Sequence, residues 1–164
     1  MNSQKNRRLG AMGLLAFLIV VIDQMTKSIS REQLRTAPMS FFGDLFRLQH
    51  AENPGAFMSF GDALAPDLRF GLFVIGVAIF LVAAGYFIIK KIESDFQISM
   101  ALSFIFAGGI GNLIDRAVKG SVTDFMNIGI GSLRTGVFNV ADMSIVGGVI
   151  FLYFWTTFKP KKTV

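Results

Sequence analysis

Four long apolar stretches, separated by charged or glycine-bearing segments, leave this chain few architectures to fold into. They cover about residues 9–28, 70–89, 96–114 and 137–158, each close to the ~20 residues that a helix needs to cross ~30 Å of hydrocarbon. The chain is 52% hydrophobic and 16% charged, where a soluble domain carries about 25% charged residues. The apolar excess is gathered in blocks. The pattern therefore predicts an all-α membrane protein with four transmembrane helices, a single domain over 1–164.

Charge placement gives the orientation. Lys5, Arg7 and Arg8 precede the first block, Lys90 and Lys91 follow the second, and Lys159, Lys161 and Lys162 follow the last. Basic clusters at alternate crossings follow the positive-inside pattern and predict both termini on the cytoplasmic side. The net charge of +5 is thus assigned to topology and not to nucleic-acid binding. Tyr153 and Trp155 suit an aromatic belt at the same face. The first block has a basic start like a signal peptide, but Asp23-Gln24 follows it without a small-residue cleavage pattern, so it reads as a retained anchor.

Between the spans, Lys90–Asp95 is a short turn, whereas about 29–69 and 115–136 are longer outer segments. Phe41–Gln49 alternates imperfectly around Gly43-Asp44 and predicts a small extracytoplasmic β-hairpin. Two glycine-bounded pieces, 120–125 and 129–132, are expected to fold back on the membrane surface. Ala107 and Gly111, with Gly108 and Gly109 beside them, read as close helix packing.

The residue inventory narrows the chemistry. With no cysteine and His50 as the single histidine, thiol nucleophiles, thiolate metal sites and HExxH zinc sites are excluded, and a Ser-His hydrolase is disfavoured. Carboxylate, lysine or tyrosine remains for acid–base work, and no metal or cofactor is expected. An ionisable group in a membrane span is expensive and is a functional candidate by default. Asp23 and Lys27, four apart, can pair at an interface. Asp115 precedes Arg116 and reads as an organiser of the loop start. Asp62 and Asp67 lie in a polar turn. Asp124 and Asp142 have no sequence-local cation. Asn112 and Asp115, and likewise Asn139 and Asp142, are three apart and would share a helix face lining one polar cavity. Intramembrane carboxylates also serve proton-coupled transport, and a polar face can bind partner helices in an assembly factor. Transport favours polar residues spread through the membrane depth, but here they crowd one end.

Five ordered segments resemble the lipoprotein signal peptidases (signal peptidase II) over nearly the whole chain. They are Asp23–Lys27, Asn53-Pro54-Gly55-Ala56, Gly108–Arg116, Val122-Thr123-Asp124-Phe125 and Phe138–Asp142. The resemblance implies an intramembrane aspartic endopeptidase with an extracytoplasmic β-cradle and Asp124 and Asp142 as the catalytic pair. It implies substrate-binding or supporting roles for Asp23, Asn53, Gly55, Asn112, Asp115, Arg116 and Asn139. It further implies a bacterial inner-membrane location, an active site near the outer leaflet, and diacylglyceryl-modified prolipoproteins cut before the lipidated cysteine. Bilayer lipids are the other expected partners, and the chain is expected to be a monomer. Phe57 and Met58 invert the family's usual order of bulk before Ser59, and Thr123 stands where an aliphatic residue is usual.

Overall fold

The computed structural model describes residues 3–55, 61 and 63–158. Among these are four helices long and apolar enough to cross a membrane: α1 (Ser3–Leu34), α2 (Pro66–Lys91), α3 (Phe96–Lys119) and α4 (Val140–Phe158). An antiparallel sheet in the order β1-β2-β3-β4 caps one end of the bundle, formed by β1 (Met39–Phe41), β2 (Phe46–Asn53), β3 (Val122–Ile130) and β4 (Leu133–Arg134).

The molecule is apolar outside and polar at its centre. Leu14, Phe17, Phe80, Val82 and Tyr153 are exposed, whereas Asp23, Lys27, Ser99, Asn112, Asp115 and Asn139 are buried. That inversion suits a hydrocarbon surround, in which polar groups must be satisfied internally. The central helix is α3, which packs on α1, α2 and α4. Its glycines allow the approach: a Cβ on Gly108 would lie 2.3 Å from the Ala141 carbonyl oxygen, and one on Gly109 would lie 2.6 Å from Leu81 Cδ2. Ser99 Oγ donates to the Ile88 carbonyl at 3.1 Å and Ser144 Oγ to the Phe104 carbonyl at 2.8 Å, tying neighbouring helices together. At the end away from the sheet, Met12, Ile88 and Ile92 form a buried cluster.

The helices depart from the expected spans at their ends. α1 starts at Ser3 because its charged first turns have partners: Arg8 Nη1 donates to the Ile92 carbonyl at 2.9 Å, and Lys5 pairs with Glu93 at 3.7 Å. It runs on to Leu34 through a wider, π-helical turn over Ser30–Leu34, whose Ser30 and Leu34 are buried. At ~1.5 Å per residue its 32 residues span about 48 Å, well beyond the hydrocarbon thickness. α2 starts at Pro66, a residue suited to a first helical turn. α3 continues to Lys119, where Gly120 adopts a left-handed φ of 76° and its N–H closes on the Arg116 carbonyl. α4 starts at Val140, three residues later than expected, because Phe138 is held extended by a backbone bridge to Met126.

The expected hairpin is present: Phe41 pairs with Phe46 and Met39 with Leu48. The two glycine-bounded pieces of the second outer segment both belong to one hairpin: 120–125 opens β3, and 129–132 holds the end of β3 and the turn into β4. β3 pairs along β2 from Phe46↔Ile128 to Asn53↔Val122 across a register shift between Leu48 and Ala51. Gly129 lies so close to Leu133 and Arg134 that a Cβ would meet the Leu133 carbonyl oxygen at 2.4 Å.

Candidate active site between β3, α3 and α4

The start of α4 sets one carboxylate. Asp142 N–H donates to Asn139 Oδ1 at 2.9 Å, and Asn139 N–H donates back to Asp142 Oδ2 at 3.1 Å. This reciprocal cap satisfies two backbone donors that a helix start would otherwise leave open. The three-residue spacing was expected to place both side chains on one helix face. The pair meets across a cap instead, because the helix begins after Asn139. The remaining Asp142 oxygen accepts from Asn112 Nδ2 at 2.8 Å.

The second carboxylate comes from the sheet. Asp124 lies on β3 and is 3% exposed. Asn139 Nδ2 donates to its Oδ1 at 2.7 Å, and Asn53 Nδ2 donates to its Oδ2 at 3.2 Å. Burial, and then the nearby Asp142 carboxylate, push the Asp124 carboxyl up to about 7, while the Asn53 and Asn139 donors hold it back. Asn139 therefore touches both carboxylates, one through its side chain and one through its backbone. Both border a cavity of about 500 Å³, whose far wall is Met143, Val146 and Ile150 on the exposed side of α4.

Behind the two carboxylates lies a buried ion cluster with a doubled design. Lys27, fully buried, pairs with Asp23 at 2.7 Å and with Asp115 at 3.4 Å, and donates to Asn112 Oδ1 at 2.9 Å. The other Asp23 oxygen accepts from the Ala141 N–H at 2.9 Å, and Asp115 accepts from the Thr123 N–H at 3.0 Å. Each of these aspartates thus holds the backbone immediately before one of the two cavity carboxylates. Gly111 makes room for the arrangement: a Cβ there would lie 2.6 Å from Asp23 Oδ2.

Arg116 borders the cavity, donates from Nη2 to the Gly55 carbonyl at 2.8 Å, and lies 5.7 Å from the Phe73 ring centre. It does not pair with Asp115, because consecutive helical residues face different ways; Asp115 turns to Lys27 and Lys119. Gly55 N–H donates to Asn53 Oδ1 at 3.0 Å, so the Asn53–Gly55 turn fixes both the Asn53 amide and the acceptor for Arg116. Phe57, Met58 and Asp62 lie outside the described residues, as do Lys159, Lys161 and Lys162; Asp67 is exposed.

All nine residues singled out from the sequence therefore fall in one connected network. Sequence reasoning missed the reach of Lys27, which it read only as a partner for Asp23. A lone cation inside an apolar span, one turn from an aspartate, was the available signal. It also missed the surroundings of Thr123, whose hydroxyl accepts from Arg31 at 3.1 Å and from Lys119 and donates to Glu52 at 3.0 Å. Burial pushes Glu52 up, but the Ser121 and Thr123 hydroxyls and the Lys119 ammonium outweigh it and leave the carboxyl below its usual range. Among the described residues, no three His, Cys, Asp or Glu side chains group as metal ligands.

A family profile described as Signal peptidase (SPase) II matches residues 15–158. The chain is 34% identical to a lipoprotein signal peptidase of Borrelia hermsii, over 99% of this chain and 98% of the relative. It is 36% identical to the one of Syntrophus aciditrophicus, over 85% and 87%, and 34% identical to one of Staphylococcus aureus, over 88% and 86%. The fold is also similar to that of a bacterial membrane enzyme determined by the in meso method at 2.3 Å resolution. The TM-score is 0.79 with 32% identity, over 94% of each chain.

Proposed function

The chain belongs to the signal peptidase II family of bacterial membrane peptidases, which process the signal peptides of prolipoproteins, and we propose that it does so as an aspartic endopeptidase with Asp124 and Asp142 as its paired carboxyls. The observation that carries this reading is the convergence of the two on one cavity with Asn139 bonded to both. Two carboxyls that share a poorly solvated site cannot both ionise readily, so they hold one proton between them. Burial and the Asp142 charge both favour that proton on Asp124.

In the proposed reaction the ionised carboxyl takes a proton from a water as its oxygen attacks the scissile carbonyl carbon. The protonated carboxyl polarises the carbonyl oxygen. The carbon–nitrogen bond then breaks and the departing amine takes up a proton from the pair. Asn112 and Asn139 orient the carboxyls. Asp23, Asp115 and Lys27 hold their backbones, and Arg116, Asn53 and Gly55 line the approach for substrate.

The substrate we assign is a prolipoprotein carrying a diacylglyceryl-modified cysteine, cut immediately before that residue. The cavity supports this, because it runs from the carboxyls along Met143, Val146 and Ile150 on the lipid-facing side of α4. Acyl chains that remain in the bilayer would hold the scissile bond beside the pair and raise its effective concentration. Lys5, Arg8 and the α2–α3 turn sit together at the end away from the pair. With positive charge retained in the cytoplasm, the pair would face the outer leaflet and the N-terminus the cytoplasm. We take the active form to be a monomer.

The decisive experiment incubates purified, lipid-reconstituted protein with lipidated and unlipidated forms of one precursor. Cleavage should require the lipid and should survive chelator. Asp124→Asn and Asp142→Asn should each abolish cleavage while keeping a cooperative melt. Near-normal turnover by either variant refutes the pair. Transport or an assembly role would instead leave no cleavage to lose.

A further inference from the structure

The residue just before Asp124 is held from more directions than a place on a strand requires. Thr123 is fully buried. Its N–H donates to Asp115 at 3.0 Å, and its hydroxyl accepts from Arg31 Nη1 at 3.1 Å and from Lys119 while donating to Glu52 Oε1 at 3.0 Å. One donor and two acceptors exhaust what a hydroxyl can offer, and the partners come from the α1 extension, the end of α3 and β2. The aliphatic residue usual in the family at this place would make none of the three side-chain bonds.

The strand opposite has the same two-sided build. Successive strand residues point to opposite faces. In β2, Asn53 donates forward to Asp124 Oδ2 at 3.2 Å, while Glu52, directly opposite Thr123, meets the Thr123 hydroxyl behind the sheet. Glu52 also lies 3.6 Å from Lys119 Nζ and 3.5 Å from His50 Nε2, and accepts from Ser121 Oγ. Register matters here because the ladder is broken. Between Leu48↔Met126 and Ala51↔Asp124, β2 has Gln49 and His50 where β3 has Phe125 alone. The outer block of pairs therefore does not dictate the inner one, and a slip of one residue would exchange the faces of every side chain in it. His50, inside the bulge, is itself held between Ser30 Oγ at 3.3 Å and Glu52.

We infer that Glu52 is a positioning residue for the cleavage reaction: through the Thr123 hydroxyl it fixes the register of the inner ladder, and so sets Asn53 and Asp124 at hydrogen-bond distance in the cavity. The inference rests on Asp124 being one of the paired carboxyls. Glu52 faces the back of the sheet, so it acts on the reaction through the two strands and not by contact with the pair. Lys119 joins this device to the buried ion cluster, since it also pairs with Asp115 at 3.6 Å. Asp115 holds Thr123 by its backbone and Glu52 holds it by its side chain. The two constrain different atoms of one residue.

The test uses the lipid-reconstituted enzyme with a lipidated precursor. Thr123→Val replaces the hydroxyl by a methyl of similar size. It should lower kcat about tenfold with KM little changed, since small displacements of a catalytic group are costly. It should also move the limb of the pH profile that reports the pair upward by about half a unit, because a weakened Asn53 donor favours the neutral Asp124. Thr123→Ser, which keeps the hydroxyl, should recover most of both changes. The charged groups facing Asp124 are Asp142 of α4, Lys27 of α1 and Arg116 of α3, and no variant alters them. Glu52→Ala should shift the limb in the same upward direction, and adding it to Thr123→Val should lower kcat by less than about twofold further. A smaller folded fraction lowers the rate without moving the limb, so an unmoved limb in Thr123→Val overturns the inference. So do multiplicative losses in the double variant. So does a downward shift in Glu52→Ala, which would be the direct effect of removing a negative charge. Asp124→Asn is run alongside. If it still cleaves, the paired-carboxyl reading falls and this inference with it; an inactive Asp124→Asn beside an unmoved Thr123→Val profile removes this inference alone.

Discussion

Replacing Asn139 with alanine separates the orienting role of this residue from a purely structural one. The side chain does four things: it donates to Asp124 Oδ1 at 2.7 Å, to Asn112 Oδ1 at 3.1 Å and to the Thr123 carbonyl at 3.4 Å, and accepts from the Asp142 N–H at 2.9 Å. Losing the cap costs about 1 kcal/mol of stability. Asn112 Oδ1 keeps Lys27 at 2.9 Å and is not orphaned. The loss at Asp124 is different in kind, because the donated hydrogen bond favours the ionised carboxyl. A hydrogen bond to a charged group is worth about 1.5–3 kcal/mol, and 1.36 kcal/mol corresponds to one pKa unit. Asn53 still donates to the other oxygen, so the low end applies, and Asp124, already pushed up to about 7, should rise by about one further unit. The assay is the pH dependence of precursor cleavage by the reconstituted enzyme. The limb that reports titration of the pair should move to higher pH by about one unit, together with a fall in the maximal rate and a modest drop in melting temperature. A variant that is slower or less stable, but whose profile keeps its position on the pH axis, would refute the reasoning. The asparagine would then be scaffolding that does not tune the carboxyls.

Asp124→Asn should raise thermal stability at pH 8, and the gain should fade as pH falls towards 4. The folded carboxyl titrates near 7 rather than 3.8, so the native state binds the extra proton between those values and the wild-type protein loses stability as pH rises through them. The shift is worth about 4 kcal/mol, and an amide unable to accept from both Asn53 and Asn139 should keep about half; melts across pH check the slope. Lys27→Met should be the most damaging single change in the bundle, lowering stability by about 3–5 kcal/mol, because it leaves Asp23 buried without a cation and Asp115 with Lys119 alone. Gly111→Ala should impair folding and activity together, because its Cβ would lie 2.6 Å from Asp23 Oδ2, whereas Gly85→Ala, with its nearest neighbour 3.5 Å away, should melt within a few degrees of wild type.

The spans were legible because a run of apolar residues reports its own environment locally, whatever packs on it. Their ends were less so, since these depend on partners elsewhere: the Ile92 carbonyl for the first turn of α1, Met126 for the extended Phe138 that delays α4. The hairpin around Gly43-Asp44 was visible from alternation within one segment. β3 was not, because its pairing partner β2 lies some seventy residues earlier and Gly129 interrupts its outer half. In the site, the Asp23–Lys27 pair could be read from a four-residue spacing. The Lys27–Asn112 bond, spanning 85 residues, could not. Asp124 and Asp142 stood out as acids without local cations, yet only the ordered motifs argued for bringing them together. Asn139 and Asp142 were read correctly as a pair through the wrong geometry.

The cation count explains why the cluster behind the site is built as it is. Three aspartates and a lysine converge on the junction of α1 and α3 with α4, counting Asp142 beside Asp23 and Asp115. Lys27 spends its ion pairs on Asp23 and Asp115 and approaches the Asp124–Asp142 pair only through Asn112. A lysine in direct contact with either member would favour its ionised form and remove the shared proton on which the proposed acid–base chemistry depends. Neutral amides are the donors that can fix a carboxylate without supplying a full charge, and Asn53, Asn112 and Asn139 fill those places. Lys27, Asp23 and Asp115 stay one step back, where the two aspartates grip the peptide N–H groups of Ala141 and Thr123. Position is thus set largely by ions through the backbone, while the protonation of Asp124 is set first by burial and tuned by amides at the side chain. Both belong to the bundle end that carries the sheet, which is where the proposed substrate, a peptide bond tethered by its lipid, would have to arrive.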